Sequence, residues 1–239
     1  MKNIDAKNLN FDALNELIRK TDGDIIISNC LGQRFIGSGT AQKEITICGT
    51  PGNALGAYLC GATIKVDGNV QDAVGDTMDS GKIIVNGNAG DAVGYAMRGG
   101  EIYVKGNAGY RVGIHMKAYK DKLPIMVIGG VVGSFLGEYQ AGGLIIVLNL
   151  ENKNEIVGNF CGTGMHGGKI FLRTKNLNST FPPQVHVKKA DEDDMKEIAP
   201  YVKNFCDLFG TDYASVIDSE FTVLTPNSKN PYRQLYVEN

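Results

Sequence analysis

The 239-residue sequence contains no tryptophan, and its five cysteines are too scattered to form a structural framework. The cysteine count is odd and no Cys-x-x-Cys pair occurs, which argues against both a disulfide scaffold and a zinc knuckle. Residues 1–14 carry no apolar run, so no signal peptide is predicted. No segment approaches the roughly 18 continuous apolar residues of a membrane span. We therefore expect a cytoplasmic protein with reduced thiols.

An excess of charge of either sign is also missing. The chain has 24 basic and 26 acidic residues, a net charge of −2. A balanced surface gives no electrostatic reason to bind nucleic acid or an anionic membrane. Partners of those two kinds are not expected.

Glycine, in contrast, is abundant at 31 residues, and its positions repeat every 19 residues. Each copy contains a similar phrase, of which Gly68-Asn-Val-Gln-Asp-Ala-Val-Gly75 is one example. A β-branched pair such as Ile64 and Val66 precedes each leading glycine, and alternation of this kind is typical of a strand. A 19-residue period is too short for two helices and a turn, and it favours one coil of a β-solenoid.

These features predict an all-β protein, a right-handed single-stranded parallel β-helix of about seven coils with helical caps at both ends. The predicted boundaries are an N-terminal helical cap at 1–23, the β-helix at 24–174, and a C-terminal helical cap and tail at 175–239. Asn10 is the expected N-cap of the first helix. A C-terminal helix is expected to start at the acidic residues 191–194, to carry one apolar face and to end at Gly210. Glycines at the coil corners are expected to allow positive φ or close backbone contact. The predicted corner glycines are Gly37, Gly49, Gly56, Gly68, Gly75, Gly87, Gly94, Gly106, Gly113, Gly137 and Gly158.

Several side chains recur at one register and are candidates for chemistry. Met78, Met97 and Met116 are expected to stack in the core, where methionine is a common filler. Asn69, Asn88 and Asn107 suggest a stacked amide ladder. The cysteines at or beside apolar positions, which are Cys48, Cys60 and Cys161, are expected to be buried. His115 and His166 follow coil corners but have no neighbouring carboxylate in a metal-binding pattern.

Asp72 and Asp91 fall at the same repeat position and should lie about 5 Å apart on successive coils. Two such carboxylates can couple and support acid–base chemistry. A solvated polar corner is the favoured interpretation, and an independent β-helix lyase or hydrolase that uses Asp72 and Asp91 is the alternative from another functional class.

The coil corners resemble the C-terminal β-helix domain, the GXGXG domain, of the glutamate synthase large subunit. Gly49-Thr-Pro-Gly-Asn-Ala-Leu-Gly56 is similar to that family's Gly-x-x-Gly-Gln-Ser-Phe-Gly. Gly137-Glu-Tyr-Gln-Ala-Gly-Gly143 is similar to its Cys-Glu-Tyr-Met-Thr-Gly-Gly, and Gly164-Met-His-Gly-Gly168 to its Gly-Met-Ser-Gly-Gly. The resemblance covers about residues 25–174, with the segments in order.

In that family glutamine is hydrolysed in one domain, and ammonia travels to an FMN and iron–sulfur domain that converts 2-oxoglutarate to glutamate. The resemblance therefore implies a stand-alone, non-catalytic scaffold subunit of a multi-subunit glutamate synthase. It implies two partners, a glutamine amidotransferase-like subunit and a subunit that carries FMN and an iron–sulfur cluster. No catalytic residue, cofactor or metal is expected on this chain itself. Arg111, His115 and Glu138 lie on irregular coils and are predicted partner contacts.

Two further possibilities stay open. The β-helical subunit of formylmethanofuran dehydrogenase has similar corners and is also a scaffold beside redox subunits, so it is the alternative assignment. Assembly of the chain with copies of itself is also compatible with the sequence, although helical ends argue against an open rod.

Overall fold

A computed structural model of the chain describes residues 1–175, 177 and 180–227. It contains a parallel β-solenoid in which β2 to β9 stack in chain order, one strand for each of eight coils. The fold class is as predicted, and the estimate of about seven coils was one too low. The strands are β1 (Lys2–Asp5), β2 (Ile25–Leu31), β3 (Glu44–Thr50), β4 (Cys60–Asp67), β5 (Ser80–Val85), β6 (Glu101–Val104), β7 (Ile125–Ile128), β8 (Ala141–Val147), β9 (Gly167–Arg173), β10 (Val185–Lys189) and β11 (Phe221–Pro226). The helices are α1 (Phe11–Lys20), α2 (Glu192–Phe209) and α3 (Tyr213–Ile217).

Each coil places its alternating apolar pair directly above that of the previous coil. Ile64 pairs with Ile83, and Ile83 pairs with Ile102, so the inward side chains form continuous columns. The corner turns are also hydrogen-bonded from coil to coil. For example, the Gly75 N–H donates to the Leu55 carbonyl at 2.8 Å. One coil therefore has no core of its own and is stabilised by the coils above and below it.

Most of the predicted corner glycines occupy turns that a side chain would disrupt. The series Gly37, Gly56, Gly75, Gly94, Gly113 and Gly137 has φ between 63° and 72°. Gly87, Gly106 and Gly158 do not have a positive φ, although a Cβ at Gly158 would lie 2.5 Å from the Ser134 Oγ. Gly162 continues the series, with φ 72° and an N–H that donates to the Leu136 carbonyl at 2.7 Å. The prediction that Gly158 belongs to this series was wrong, because the preceding turn at residues 151–155 lengthens the coil and shifts its repeat positions.

The first coil is covered by both a strand and a helix. β1 pairs in parallel with β2, and its Ile4 joins the core. Helix α1 buries Leu14 and Ile18 in the same core. Asn10 caps this helix as predicted, since its side chain accepts a hydrogen bond from the Ala13 N–H. β1 was not predicted because Ile4 is its only apolar residue.

The C-terminal segment lies against the solenoid in a different way from the expected helical cap. β11 pairs antiparallel with β9, and β10 pairs antiparallel with β11, so these two strands extend the sheet. Helix α2 instead packs on the outer face of β6 to β9, where Ile198, Val202 and Phe205 contact the outward side chains of the sheet. These outward side chains are apolar, and α2 buries them. They are Tyr103, Ile125, Val127, Leu144, Ile146 and Phe171.

The ends of α2 agree with the sequence prediction. Asp191 and Asp194 form a capping box at its start, and Gly210 takes a left-handed conformation after its last turn. The predicted polar tail from residue 228 onward lies outside the described residues. No helix in the described part of the chain is long and apolar enough to span a membrane.

Candidate functional site

Asp72 and Asp91 occupy one register, as predicted, but each carboxylate serves the next coil. The Asp72 Oδ1 accepts a hydrogen bond from the Asp91 N–H at 2.9 Å, and the Asp91 Oδ1 accepts one from the Tyr110 N–H at 2.8 Å. Asn53 begins the column by accepting the Asp72 N–H at 3.3 Å. The two carboxylates therefore act as acceptors that join coils, as an asparagine does in the same column.

The three repeated asparagines form a second column of the same kind. The Asn69 Oδ1 accepts the Asn88 N–H at 2.8 Å, and the Asn88 Oδ1 accepts the Asn107 N–H at 2.8 Å. The predicted ladder exists, but its bonds run from side-chain oxygen to backbone N–H and do not join one amide side chain to the next. A Cβ at Gly87 would lie 2.6 Å from the Asn69 Oδ1, and one at Gly106 would lie 2.3 Å from the Asn88 Oδ1, which explains the glycines that precede Asn88 and Asn107.

The methionine column is buried as predicted, with Met78, Met97 and Met116 fully inaccessible to solvent. Gln140 takes the next place in this column and is also fully buried. Its Nε2 donates to the carbonyls of Gly142 and Gly143 at 3.3 Å and 3.1 Å. Its Oε1 has no hydrogen-bond partner among the described residues.

The cysteine prediction was correct for Cys161 and wrong for Cys48 and Cys60. Cys161 is buried, whereas the other two side chains are exposed. Cys48 directly follows the inward Ile47 on its strand, and Cys60 directly follows the inward Leu59, so both point outward. Among the described residues, no three or more histidine, cysteine, aspartate or glutamate side chains are grouped to hold a metal ion.

The three predicted partner contacts divide into an ion pair and a ring stack. The Arg111 Nε lies 3.2 Å from the Glu138 Oε2, and the Arg111 guanidinium also covers the Phe135 ring at 5.1 Å. His115 stacks on Tyr139, with ring centroids 5.1 Å apart and planes inclined by 9°. Arg111 and Glu138 thus satisfy each other.

His115 belongs to an open surface groove of about 430 Å³ that crosses four coils. Its aromatic and cationic residues, which we call the basic groove, are Tyr95, Arg98, His115, Lys117, Tyr139 and His166. Sequence reasoning had singled out the two histidines and missed the other four. A signal was available, because Arg98 and Lys117 are 19 residues apart and therefore share one repeat register.

Two walls of the groove follow from the repeat. The edge of Tyr95 meets the His115 ring, with centroids 6.0 Å apart, so Tyr95, His115 and Tyr139 form one aromatic wall. Arg98 and Lys117 follow the buried methionine column and face outward beside that wall. None of the described residues that line the groove carries a carboxylate. The arrangement can bind an anionic group against a flat aromatic surface.

Comparison with known families now identifies the class of protein. The family model for the GXGXG motif matches residues 12–229. The chain therefore belongs to the GXGXG-motif family, in agreement with its columns of corner glycines.

Two individual proteins are similar over nearly their whole length. The "Uncharacterized protein MJ1350" of Methanocaldococcus jannaschii is 45% identical over 248 residues, which cover 98% of this chain and 95% of that protein. Among solved structures, a chain of the formyltransferase/hydrolase complex FhcABCD from Methylorubrum extorquens, determined with methylofuran, matches with a TM-score of 0.65. The match covers 90% of this chain and 87% of that chain at 20% identity, so it establishes a common fold.

Proposed function

We propose that this chain is the β-solenoid scaffold subunit of a multi-subunit complex of the formylmethanofuran dehydrogenase type, which handles formyl groups on a furan coenzyme. The observation that carries the proposal is the fold match to a chain of the formyltransferase/hydrolase complex. That match spans 90% of this chain and 87% of the other, and so includes more than the repeats alone.

A scaffold role is consistent with how the chain uses its polar groups. The carboxylates of Asp72 and Asp91 and the amides of the asparagine column hold coils together. The side chains left for recognition are on the outer surface, at fixed intervals of about 4.8 Å along the rod. A rigid ladder of this kind can hold other subunits at a constant separation.

A glutamate synthase complex is the second candidate, and one observation favours it. The segments 49–56, 137–143 and 164–168 resemble the β-helix domain of the glutamate synthase large subunit and follow one another in the same order. Under this candidate the partners would be a glutamine amidotransferase-like subunit and a subunit that carries FMN and an iron–sulfur cluster. This chain would bind neither cofactor.

The identity of the co-purifying subunits tests both candidates. The tagged full-length chain is expressed at native level and purified from its own host, and its partners are identified by mass spectrometry. We expect subunits that act on formyl groups of a furan coenzyme, either redox subunits or formyltransferase-like and hydrolase-like subunits, in fixed ratio to the chain. Recovery of an amidotransferase and an FMN protein would support glutamate synthase instead. A chain that purifies alone, or only with copies of itself, would overturn the scaffold proposal.

A further inference from the structure

We infer that the basic groove is the docking site for an acidic segment of a partner subunit. This inference deepens the proposed scaffold function and rests on it. The structural basis is a pair of cations at one register, beside an aromatic wall, for which the described residues supply no counter-ion.

The two cations lie at the same register on successive coils. The Arg98 N–H donates to the Met78 carbonyl at 2.8 Å, and the Lys117 N–H donates to the Met97 carbonyl at 3.0 Å. Neither side chain forms an ion pair with a described residue. Arg98 and Lys117 lie outside the strands, but like charges held at one register on neighbouring coils repel each other as they do at opposed positions of a sheet. An anion bound between them would remove that cost.

The preceding coil shows how the chain balances a charge at this register when it does so internally. Asp79 occupies the corresponding position, with its N–H donating to the Leu59 carbonyl at 2.9 Å. Its carboxylate is paired with Lys122, which the irregular loop after Lys117 brings across the coils. Within the part of the chain that the structure describes, no acidic side chain forms such a pair with Arg98 or Lys117.

The shape of the groove suits a polypeptide better than a compact anion. The register that begins at Arg98 and Lys117 continues through Ala141 to His166, whose N–H donates to the Gln140 carbonyl at 2.8 Å. Four coils at about 4.8 Å each place roughly 14 Å between the first and last of these positions. An extended segment of four or five residues has that length. The aromatic wall of Tyr95, His115 and Tyr139 offers flat surfaces for its peptide groups.

A second copy of this chain is a poor occupant because its acidic run is already engaged. Asp194 pairs with Lys169 and Lys188 at 2.8 Å each. Glu192 and Asp193 share Lys196, at 2.9 Å and 3.5 Å, and Lys188 also binds Asp191. The acidic segment is therefore expected on a different subunit.

The test uses the full-length chain in its native complex. The charge-reversed variant is Arg98→Glu/Lys117→Glu, and the matched control is Lys7→Glu/Lys105→Glu, which makes the same change in charge at exposed lysines outside the groove. We expect the groove variant to recover at least tenfold less partner, and the control to stay within twofold of the unmodified chain. Circular dichroism must show that both variants are folded. Raising NaCl from 50 to 500 mM should release the partner from the unmodified chain, because salt screens exposed charges.

A photo-crosslink identifies the occupant directly. p-Benzoylphenylalanine replaces Tyr95 in the groove, and in a control it replaces the exposed Tyr58, which lies outside it. A crosslink from position 95, absent from position 58, to a partner segment rich in aspartate or glutamate supports the inference. A crosslink to a second copy of the chain or to a neutral or basic segment overturns it. So does normal partner recovery by the charge-reversed variant, which would leave the scaffold proposal intact. An unmodified chain that recovers no partner overturns both.

Discussion

The Asp91 Oδ1 accepts a hydrogen bond from the Tyr110 N–H at 2.8 Å, one coil further along the solenoid. Asparagine presents an oxygen in the same place and performs this role at Asn53 and Asn88. We expect Asp91→Asn to change the free energy of unfolding by less than about 0.5 kcal/mol. Asp91→Ala should cost about 1 kcal/mol, because it removes a hydrogen bond. Urea denaturation of both variants makes the comparison, and equal losses would contradict it.

The same pair of variants tests the lyase or hydrolase alternative. If Asp72 and Asp91 formed a catalytic pair, Asp91→Asn would abolish any turnover by the isolated chain while leaving its stability unchanged. The hydrogen-bonded column predicts that no activity depends on this substitution.

Gly75→Ala should be far more damaging than Gly39→Ala, although both glycines have nearly the same φ of 67° and 64°. A Cβ at Gly75 would lie 2.5 Å from the Ile102 Cδ1 in the core, whereas a Cβ at Gly39 meets nothing within 4 Å. The left-handed conformation costs an alanine about 1–2 kcal/mol at either site. Overpacking adds roughly 1–3 kcal/mol at Gly75 alone. Thermal or chemical unfolding of the two variants measures the difference in stability. Equal losses of stability would contradict the prediction, because they would show that the core accommodates the added methyl group without an energetic penalty.

Acid should weaken the start of α2 through Asp194. Burial opposes the charge of this carboxylate, but hydrogen bonds from Lys169, Lys188 and the Asp191 N–H outweigh it and lower the pKa of Asp194 to about 2. Because the folded-state pKa is below the unfolded value, the ion stabilises the fold above about pH 4, and this stabilisation is lost as the pH falls toward 2. At neutral pH the ionised Asp194 carboxylate contributes about 2 kcal/mol to the free energy of unfolding.

Asp194→Asn should therefore lower stability at pH 7 and flatten the pH dependence between 4 and 2. Asp193→Asn is the matched control, since its side chain is 94% exposed on the same turn. Urea denaturation at a series of pH values distinguishes the two. An unchanged pH profile in Asp194→Asn would rule out Asp194 as the titrating group.

Two of the five thiols should react with Ellman's reagent in the native protein. Cys48 and Cys60 are exposed. Burial raises the pKa of Cys161 to about 12 and the pKa of Cys30 to about 11, so these thiols stay protonated and unreactive. Cys48→Ser/Cys60→Ser should eliminate the rapid phase. A third thiol that reacts at the same rate would show that a buried site opens.

Gln140→Met should stabilise the protein by about 1 kcal/mol. It removes a buried oxygen that has no partner among the described residues, and such a group is costly to desolvate. Methionine already fills this column at Met116 and Met165. The substitution also removes the two hydrogen bonds from the Gln140 Nε2 to the Gly142 and Gly143 carbonyls. A lower free energy of unfolding in urea denaturation would contradict the prediction and show that these hydrogen bonds outweigh the unpaired oxygen.

The repeat made most of the solenoid predictable from sequence, since alternation such as Ile64 and Val66 fixes both the strand and its inward face. Where the repeat stops, prediction was weaker. β10 carries only two apolar residues, and β1 only one, so neither has the pattern of a buried strand. The spacing in α2 indicated an apolar face, but it contained no information on which surface of the solenoid that face would cover.

The candidate site was only partly predictable for a related reason. His115 was predicted because it follows a coil corner on an irregular coil, whereas Arg98 and Lys117 resembled ordinary surface charges. Arg98 and Lys117 differ from ordinary surface charges only because of the residues at the same register in neighbouring coils. It also has to be known that Lys122 pairs with Asp79. The irregular loop determines that pairing, and its path cannot be read from a period of 19 residues.

Because each coil follows the same path and bonds to its immediate neighbours, the number of coils sets the length of the solenoid. Loss or duplication of a regular 19-residue unit, such as 68–86, would shift the two ends by about 4.8 Å while keeping the chemistry of each face. Subunits held at different coils would then change their separation in whole steps of that size. Variation in coil number among family members should accordingly track the spacing of the subunits they hold, and intermediate spacings should not occur.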